Sequence, residues 1–215
     1  MEKNIVFVNE LEKMGQTLAE CGLVESAEGN ISLRAPDGTV YISARGSQLG
    51  MLRDEDVTLI LPDGSVPDGE KTPTSEFEIH MGMYHTYPDV NVVLHTHSVF
   101  ATVVAINGES IPPVIDEMTI LIGGEVKVAE YAAPGTKQLA ENAIKAMGDR
   151  KAVLLANHGA VIIGESSSDA LKIARLVEKS AKVFTFARMG GVVKTIPSVV
   201  LENQKKIYDK KRSMK

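Results

Sequence analysis

Asn30-Ile31-Ser32-Leu33-Arg34-Ala35-Pro36-Asp37-Gly38-Thr39-Val40-Tyr41-Ile42-Ser43 is the stretch that sets the architecture. Two short alternating runs, Asn30 to Arg34 and Val40 to Ser43, flank Pro36-Asp37-Gly38, residues that turn a chain sharply. A third run, Val57 to Leu61, is closed by Pro62-Asp63-Gly64. Strands joined by tight turns must be antiparallel. Working outward, Val8, Leu11, Met14, Leu18 and Cys21 recur at steps of three and four, a helical stripe over residues 7–21 stopped by Gly22. Thr74-Ser75-Glu76 precedes Phe77, Ile79, Met83 and Tyr84, so a hydroxyl can cap a helix that ends before Pro88. Val92 to His97 reads as a strand, Ser98 to Ile106 as a helix, Val126 to Tyr131 as extended chain, and Thr136 to Met147 as a helix ended by Gly148. Strands over Val153 to Ala156 and Val161 to Ile163 lead to a last long helix from Ser166 to Met189, stopped by Gly190-Gly191. Helices and strands interleave, which makes the class α/β, with a mostly antiparallel sheet flanked by helices. No repeat, low-complexity linker or composition break divides the chain, so residues 1–215 are read as one domain.

Composition narrows the function. The chain has 215 residues, 44% of them hydrophobic, with one cysteine, no tryptophan, and 23 basic against 28 acidic side chains, a net charge of -5. An acidic balance disfavours a nucleic-acid binder, which needs a basic face for phosphates. No apolar run approaches the roughly 18 to 20 residues that span a bilayer, and Met1-Glu2-Lys3-Asn4 does not begin a secretory signal, so no membrane partner is expected. The lone Cys21 builds neither an internal disulfide nor a thiolate metal site, which fits a reducing cytoplasm. From Lys205 to Lys215 six of eleven residues are Lys or Arg; the segment reads as a solvated, frayed terminus, with contact to an anion as the alternative. No phosphate loop or dinucleotide fingerprint is present. Lys127 is the nearest candidate for a Schiff-base lysine, and no apolar run surrounds it.

The five histidines carry the most information. His95 and His97 lie two apart in Val92-Val93-Leu94-His95-Thr96-His97, so on a strand both imidazoles project from one side of a segment otherwise built for burial. His158 follows a second apolar run, in Leu154-Leu155-Ala156-Asn157-His158-Gly159-Ala160. Three imidazoles with an open position form the ligand set of catalytic rather than structural zinc, and Mn2+ or Co2+ also suits such donors. The competing interpretation is a set of partly buried histidines satisfied by backbone hydrogen bonds. His80 and His85 are placed on the surface of their helix, without a role. Glu76, nineteen residues before His95, is either a metal ligand, a general acid/base, or an acid complementing a helix dipole. Glu117 is a second acid/base candidate, with a surface role as its alternative. Gly29-Asn30, Arg45-Gly46 and Thr74-Ser75 are each ordinary turn chemistry, and together they offer the amides, hydroxyls and guanidinium that a phosphate needs.

The order Gly29-Asn30-Ile31-Ser32, Pro73-Thr74-Ser75-Glu76, His80 to Tyr87 with Pro88-Asp89-Val90, His95-Thr96-His97-Ser98 and Asn157-His158-Gly159 resembles the class II aldolase/adducin family over about residues 7 to 190. Pro134-Gly135-Thr136-Lys137-Gln138-Leu139 is similar to the Phe-Gly-Thr-Arg-Glu-Leu of its fuculose-1-phosphate aldolase branch. The resemblance implies a three-layer α/β/α sandwich with a largely antiparallel central sheet. It also implies a zinc site on His95, His97 and His158, with Glu76 as fourth ligand or acid/base, and substrate phosphate on Gly29, Asn30, Arg45, Gly46, Thr74 and Ser75. A homotetramer with active sites between subunits and retro-aldol cleavage of a ketose 1-phosphate to dihydroxyacetone phosphate and an aldehyde follow in the same way. Glu117, or Tyr208 arriving from the tail, is then the group for the aldehyde oxygen. Two departures from the pattern stand out. Arg45 replaces a small hydroxyl residue and suits a carboxylate as well as a phosphate. Glu117-Met118 resembles the methylthioribulose-phosphate dehydratase branch, which lacks a glutamate matching Glu76. A 4-epimerase and an adducin-like binding protein fit less well.

Overall fold

The computed structural model describes residues 3–213, so Met1, Glu2, Met214 and Lys215 lie outside it. Helix α1, Ile5–Glu20, begins where the Asn4 side chain accepts the amide of Val6, and it turns Val8, Leu11, Met14 and Leu18 inward. Strands β1, Asn30–Arg34, and β2, Val40–Ser43, pair antiparallel across the Pro36-Asp37-Gly38 turn, and β3, Val57–Ile60, continues the meander. Then come α2, Phe77–Thr86, β4, Val92–Thr96, and α3, Val99–Ile106. After a π-helical turn at Met118–Ile122 follow β5, Val128–Ala129, α4, Lys137–Met147, β6, Ala152–Leu155, β7, Gly159–Gly164, α5, Ser167–Met189, and α6, Ser198–Ser213.

The strands make one seven-stranded sheet in the order β3-β2-β1-β4-β7-β6-β5. It is mixed: every pair is antiparallel except β5 with β6. Alternation sorts its side chains between two cores. Ile31, Leu33, Val92, Leu94, Ala160 and Ile162 join α1, α3 and α5, whereas Val93, Val153, Val161 and Ile163 join α2 and α4. The second face matters for function, because Asn30, Ser32 and His95 share its parity. Register then places Asn30 opposite His95 and Thr96 opposite Ala160.

The stretch from Val126 to Tyr131, read as extended, carries the two-residue strand β5 and an isolated bridge between Val126 and Ile111. Two expectations are corrected. The basic tail is helix α6 as far as Ser213 rather than a frayed end, its last two residues lying outside those described. Its Gln204 donates to Asp116 at 2.6 Å, Lys205 pairs with Asp149 at 2.6 Å, and Tyr208 packs on Gly123 while its hydroxyl donates to the Asp149 carbonyl at 2.7 Å. His80 is buried, with no exposed surface, because α2 turns it toward β1.

Gly159 shows how tightly the ladder is drawn beside the histidines. A Cβ there would lie 2.2 Å from the Thr96 carbonyl oxygen and 3.3 Å from the His97 ring. Gly159→Ala is therefore expected to push β7 from β4 and to cost about 1 to 3 kcal/mol, the usual range for overpacking, read as a lowered denaturation midpoint.

Candidate metal centre

Three elements converge at one end of the sheet. β4 delivers His95 from a strand buried at every position, and His97 follows just beyond its last residue. His158 sits in the turn between β6 and β7, where Asn157 takes a positive φ of 58° that asparagine tolerates and the His158 amide bonds the Leu155 carbonyl at 3.1 Å. Glu76 precedes α2 at its cap position but makes no capping bond; its side chain turns to the histidines instead.

The Nε2 atoms of His97 and His95 are 2.9 Å apart, and those of His95 and His158 are 3.3 Å apart. Two nitrogens on a tetrahedral ion with bonds of about 2.0 to 2.1 Å stand roughly 3.3 Å from each other, so the cluster has the dimensions of a coordination sphere. Glu76 Oε2 lies 2.9 Å from His95 Nε2 and Oε1 lies 3.6 Å from His158 Nε2. Among the described residues these four are the group whose donor atoms could hold one cation. Two further observations fit a cation. Glu76 is 6% exposed, yet its Oε1 has no hydrogen-bond partner among the described residues. His95 Nδ1 sits 3.0 Å from the Ala160 carbonyl, so it donates there and turns Nε2 to the cluster, the usual way in which a ligating histidine is oriented.

Burial would by itself raise the Glu76 carboxyl, but the hydrogen bond and charge of His95, the charge of His158 and the Asn30 amide outweigh it and hold the group at about 2. Burial, then the neighbouring imidazoles, pushes His97 down to about 4 and His158 in the same direction. Burial also takes His80 down to about 3. These imidazoles therefore stay neutral near pH 7, as metal ligands must. In the unfolded chain imidazole titrates near 6.5, so below that pH the unfolded state binds more protons than the folded one. Stability from His80 and His97 is fully present above pH 6.5 and is lost as pH falls toward 4; for buried His80 the slope is about 1.4 kcal/mol per pH unit. Glu76 adds a second loss as pH falls from 4.5 toward 2, with the same sign. Thermal melts of metal-free protein from pH 7.5 to 4.5 are expected to show a falling midpoint; a flat midpoint contradicts the burial of neutral imidazoles.

The anion-binding candidates border the centre. Gly29 takes a φ of 71° and lies so close to the His95 carbonyl that a Cβ would meet its oxygen at 2.6 Å, and Asn30 donates to Glu76 Oε2 at 3.1 Å. The Arg45-Gly46 turn is laced to Thr72-Thr74 by the Arg45 amide on the Thr72 carbonyl and the Thr74 amide on the Ser43 carbonyl, so all four turn residues sit on adjoining chain segments. Arg45, Gly46 and Ser75 are exposed while Thr74 is buried, which leaves a cationic and a hydroxyl residue at the surface of these segments.

Glu117 and Tyr208 are not brought to this centre within one chain. Glu117 is exposed at the start of the π-helical turn, in a depression with Thr17, Leu121, Leu171 and Arg175. Tyr208 adjoins Val90 and Gly164, at the end of the sheet where β4 begins, and His97 lies beyond the other end of that strand, about 16 Å along the chain from Val92 at a rise of about 3.3 Å per residue. Its phenol is buried and pushed up to about 12 by that burial. Sequence reasoning passed over His80, Ser32 and Tyr84, which line up behind Glu76. The signal was present: Glu76, His80 and Tyr84 are four apart on one helix face, and Asn30 and Ser32 are two apart on one strand face.

Known proteins share this sequence pattern and fold. A family model described as Class II Aldolase and Adducin N-terminal domain matches residues 9–185. The 5-deoxy-D-ribulose 1-phosphate aldolase of Bacillus thuringiensis serovar kurstaki is 34% identical over 201 residues, covering 93% of this chain and 94% of that protein. The L-fuculose phosphate aldolase of Escherichia coli strain K12 is 34% identical over 167 residues, covering 78% of this chain and 77% of its own. A solved structure of an L-fuculose 1-phosphate aldolase superposes with a TM-score of 0.89 at 33% identity, covering 98% of each chain.

Proposed function

Because the chain belongs to the class II aldolase and adducin family, we propose that it is a metal-dependent aldolase that cleaves a ketose 1-phosphate to dihydroxyacetone phosphate and an aldehyde. The observation that carries this is the convergence of three Nε2 atoms on a buried glutamate whose Oε1 lacks a hydrogen-bond partner. His95, His97, His158 and Glu76 would hold the ion, with Zn2+ the first choice and Mn2+ or Co2+ compatible with the same donors. When bound, the cation supplies positive charge for the oxygen anion that develops as the carbon–carbon bond breaks.

In the cleavage, the proton leaves the C4 hydroxyl, the C3–C4 bonding pair passes to C3 and the C2 carbonyl, and C3 takes a proton. Glu76 is the group we place at C3, since Asn30 donates to its Oε2 and Oε1, which has no hydrogen-bond partner among the described residues, would exchange the proton once substrate takes its place at the cluster. Gly29, Asn30, Arg45, Gly46, Thr74 and Ser75 are read as the cradle of the phosphate. Beside His97 and His158 opens a depression of about 420 Å³ lined by Val24, Val99, Val103 and Ile106 together with Glu25, Glu28 and Thr102, which is where we place the aldehyde half. A 5-deoxy ketose phosphate, the class named for the Bacillus relative, is the substrate we test first.

We read residues 1–215 as one domain, a three-layer α/β/α sandwich supported by the apolar cores on both faces of the sheet. A homotetramer is the assembly we propose from the family resemblance, and exposed Val99, Ile106 and Phe186 are apolar surface that a neighbouring copy could cover. In that assembly exposed Glu117 is a candidate for a neighbouring copy's centre and not its own, whereas Tyr208 is buried with its hydroxyl on the Asp149 carbonyl and is better read as an anchor of α6. A cytoplasmic location accords with the single free, exposed Cys21. The test is product analysis on 5-deoxy-D-ribulose 1-phosphate, L-fuculose 1-phosphate and methylthioribulose 1-phosphate. Release of dihydroxyacetone phosphate supports the aldolase, a diketone product points to a dehydratase, and binding of metal and sugar phosphate without turnover leaves a binding protein.

A further inference from the structure

Behind the metal centre a helix face and a strand face interleave. Glu76, His80 and Tyr84, four apart around α2, alternate in space with Asn30 and Ser32, two apart on β1. Asn30 Nδ2 donates to Glu76 Oε2 at 3.1 Å, and Asn30 Oδ1 is 2.5 Å from His80 Nε2. His80 Nδ1 is 2.7 Å from Ser32 Oγ, and Ser32 Oγ is 2.7 Å from the Tyr84 hydroxyl. All five side chains are buried, His80 and Ser32 completely.

The directions of these bonds follow from one end. The ionised Glu76 carboxylate only accepts, so the Asn30 amide must turn its NH2 toward it and its oxygen toward His80. His80 must then carry its proton on Nε2, which makes Nδ1 an acceptor. Ser32 donates its hydroxyl proton to Nδ1, and its oxygen is left to accept from Tyr84. Every donor in the row points toward Glu76, and dipoles aligned in this way strengthen one another in a low-dielectric interior.

We propose that His80 is a positioning residue which, through Asn30, holds the Glu76 carboxylate with Oε2 engaged and Oε1 presented to the metal centre. This rests on the reading of Glu76 as metal ligand and proton carrier given above. A histidine serving only as core filling needs one satisfied nitrogen and no fixed tautomer; His80 has both nitrogens engaged and its polarity set by a group two bonds away.

The experiment has two parts. Nitrogen-15 spectra of histidine-labelled, metal-free protein at neutral pH are expected to show His80 as a single neutral tautomer protonated on Nε2. An Nδ1 proton, or exchange between the two forms, overturns the proposal whether or not the protein binds metal or turns over sugar. Zinc affinity is then measured by chelator competition. His80→Leu, confirmed folded by circular dichroism, is expected to bind zinc about 10- to 100-fold more weakly, the usual cost of losing a group that orients a ligand, and His80→Gln, which keeps a donor for Asn30, to recover part of that loss. Unchanged zinc affinity in folded His80→Leu overturns the positioning role. If that variant does not fold, Ser32→Ala decides instead: weakened zinc binding supports the row, and wild-type affinity overturns it. Failure of the wild type to bind zinc at all strikes the metal centre itself, a result the tautomer measurement separates from this proposal.

Discussion

Glu76→Gln is expected to fold like the parent and to lose turnover by on the order of 100-fold or more, the loss typical of removing a general acid/base. The substitution conserves shape, so Asn30 can still donate to the amide oxygen in place of Glu76 Oε2. The new NH2 then falls where Oε1 was, next to His158, and presents protons where an anion faced the histidine cluster. Proton transfer at C3 ends and zinc binding weakens together. Steady-state kinetics with saturating zinc separates these effects, because added metal restores occupancy but not the missing carboxylate. Turnover within a few-fold of the parent under those conditions would reduce Glu76 to a helix-end acid.

The second large effect belongs to His95. Its Nε2 is the meeting point of the cluster, 2.9 Å from both Glu76 Oε2 and His97 Nε2 and 3.3 Å from His158 Nε2. His95→Ala cuts the protein donors from four to three and removes the nitrogen at which the other three meet, so the remaining His97, His158 and Glu76 no longer close on one point and hold an ion more weakly. Parent protein purified without added metal is expected to carry about one divalent ion per chain, and the variant well under half of that, with activity at background. Metal analysis by mass spectrometry, alongside circular dichroism to establish folding, reads both numbers. Full occupancy in folded His95→Ala removes the site.

These expectations stand on residues that were unequally visible in the linear chain. The His95-Thr96-His97 pair was legible because a strand sends every second side chain to one face, and an apolar run around it can only be a strand in a core. His158 was legible as a site residue from its place between an apolar run and a glycine. Glu76 was ambiguous: as a residue at a helix start it had a capping role available, and only the turn of its side chain toward His95 decided otherwise. His80 was misplaced, since α2 has a weak division between apolar and polar faces, with Ile79, Met83 and Tyr84 buried beside it. Polar residues on such a helix declare their side only once a strand with matching polar groups packs against them.

Local chemistry by itself determined the strands, most helix ends, the antiparallel meander and the histidine pair, because alternation, turn residues and caps act over a few positions. Tertiary structure alone decided the rest. The tail from Ser198 is a helix although charge dominates it, because Gln204 and Tyr208 anchor it to Asp116 and Asp149, more than fifty positions away. Glu117 is exposed and Tyr208 is docked away from the histidines of its own chain, a result set by how the π-helical turn and α6 pack together. The joining of Asn30 to His80 likewise depends on β1 lying next to β4 under α2. A hydrogen bond spanning fifty residues leaves no trace in local periodicity, and only the packing that brings its two ends together can reveal it.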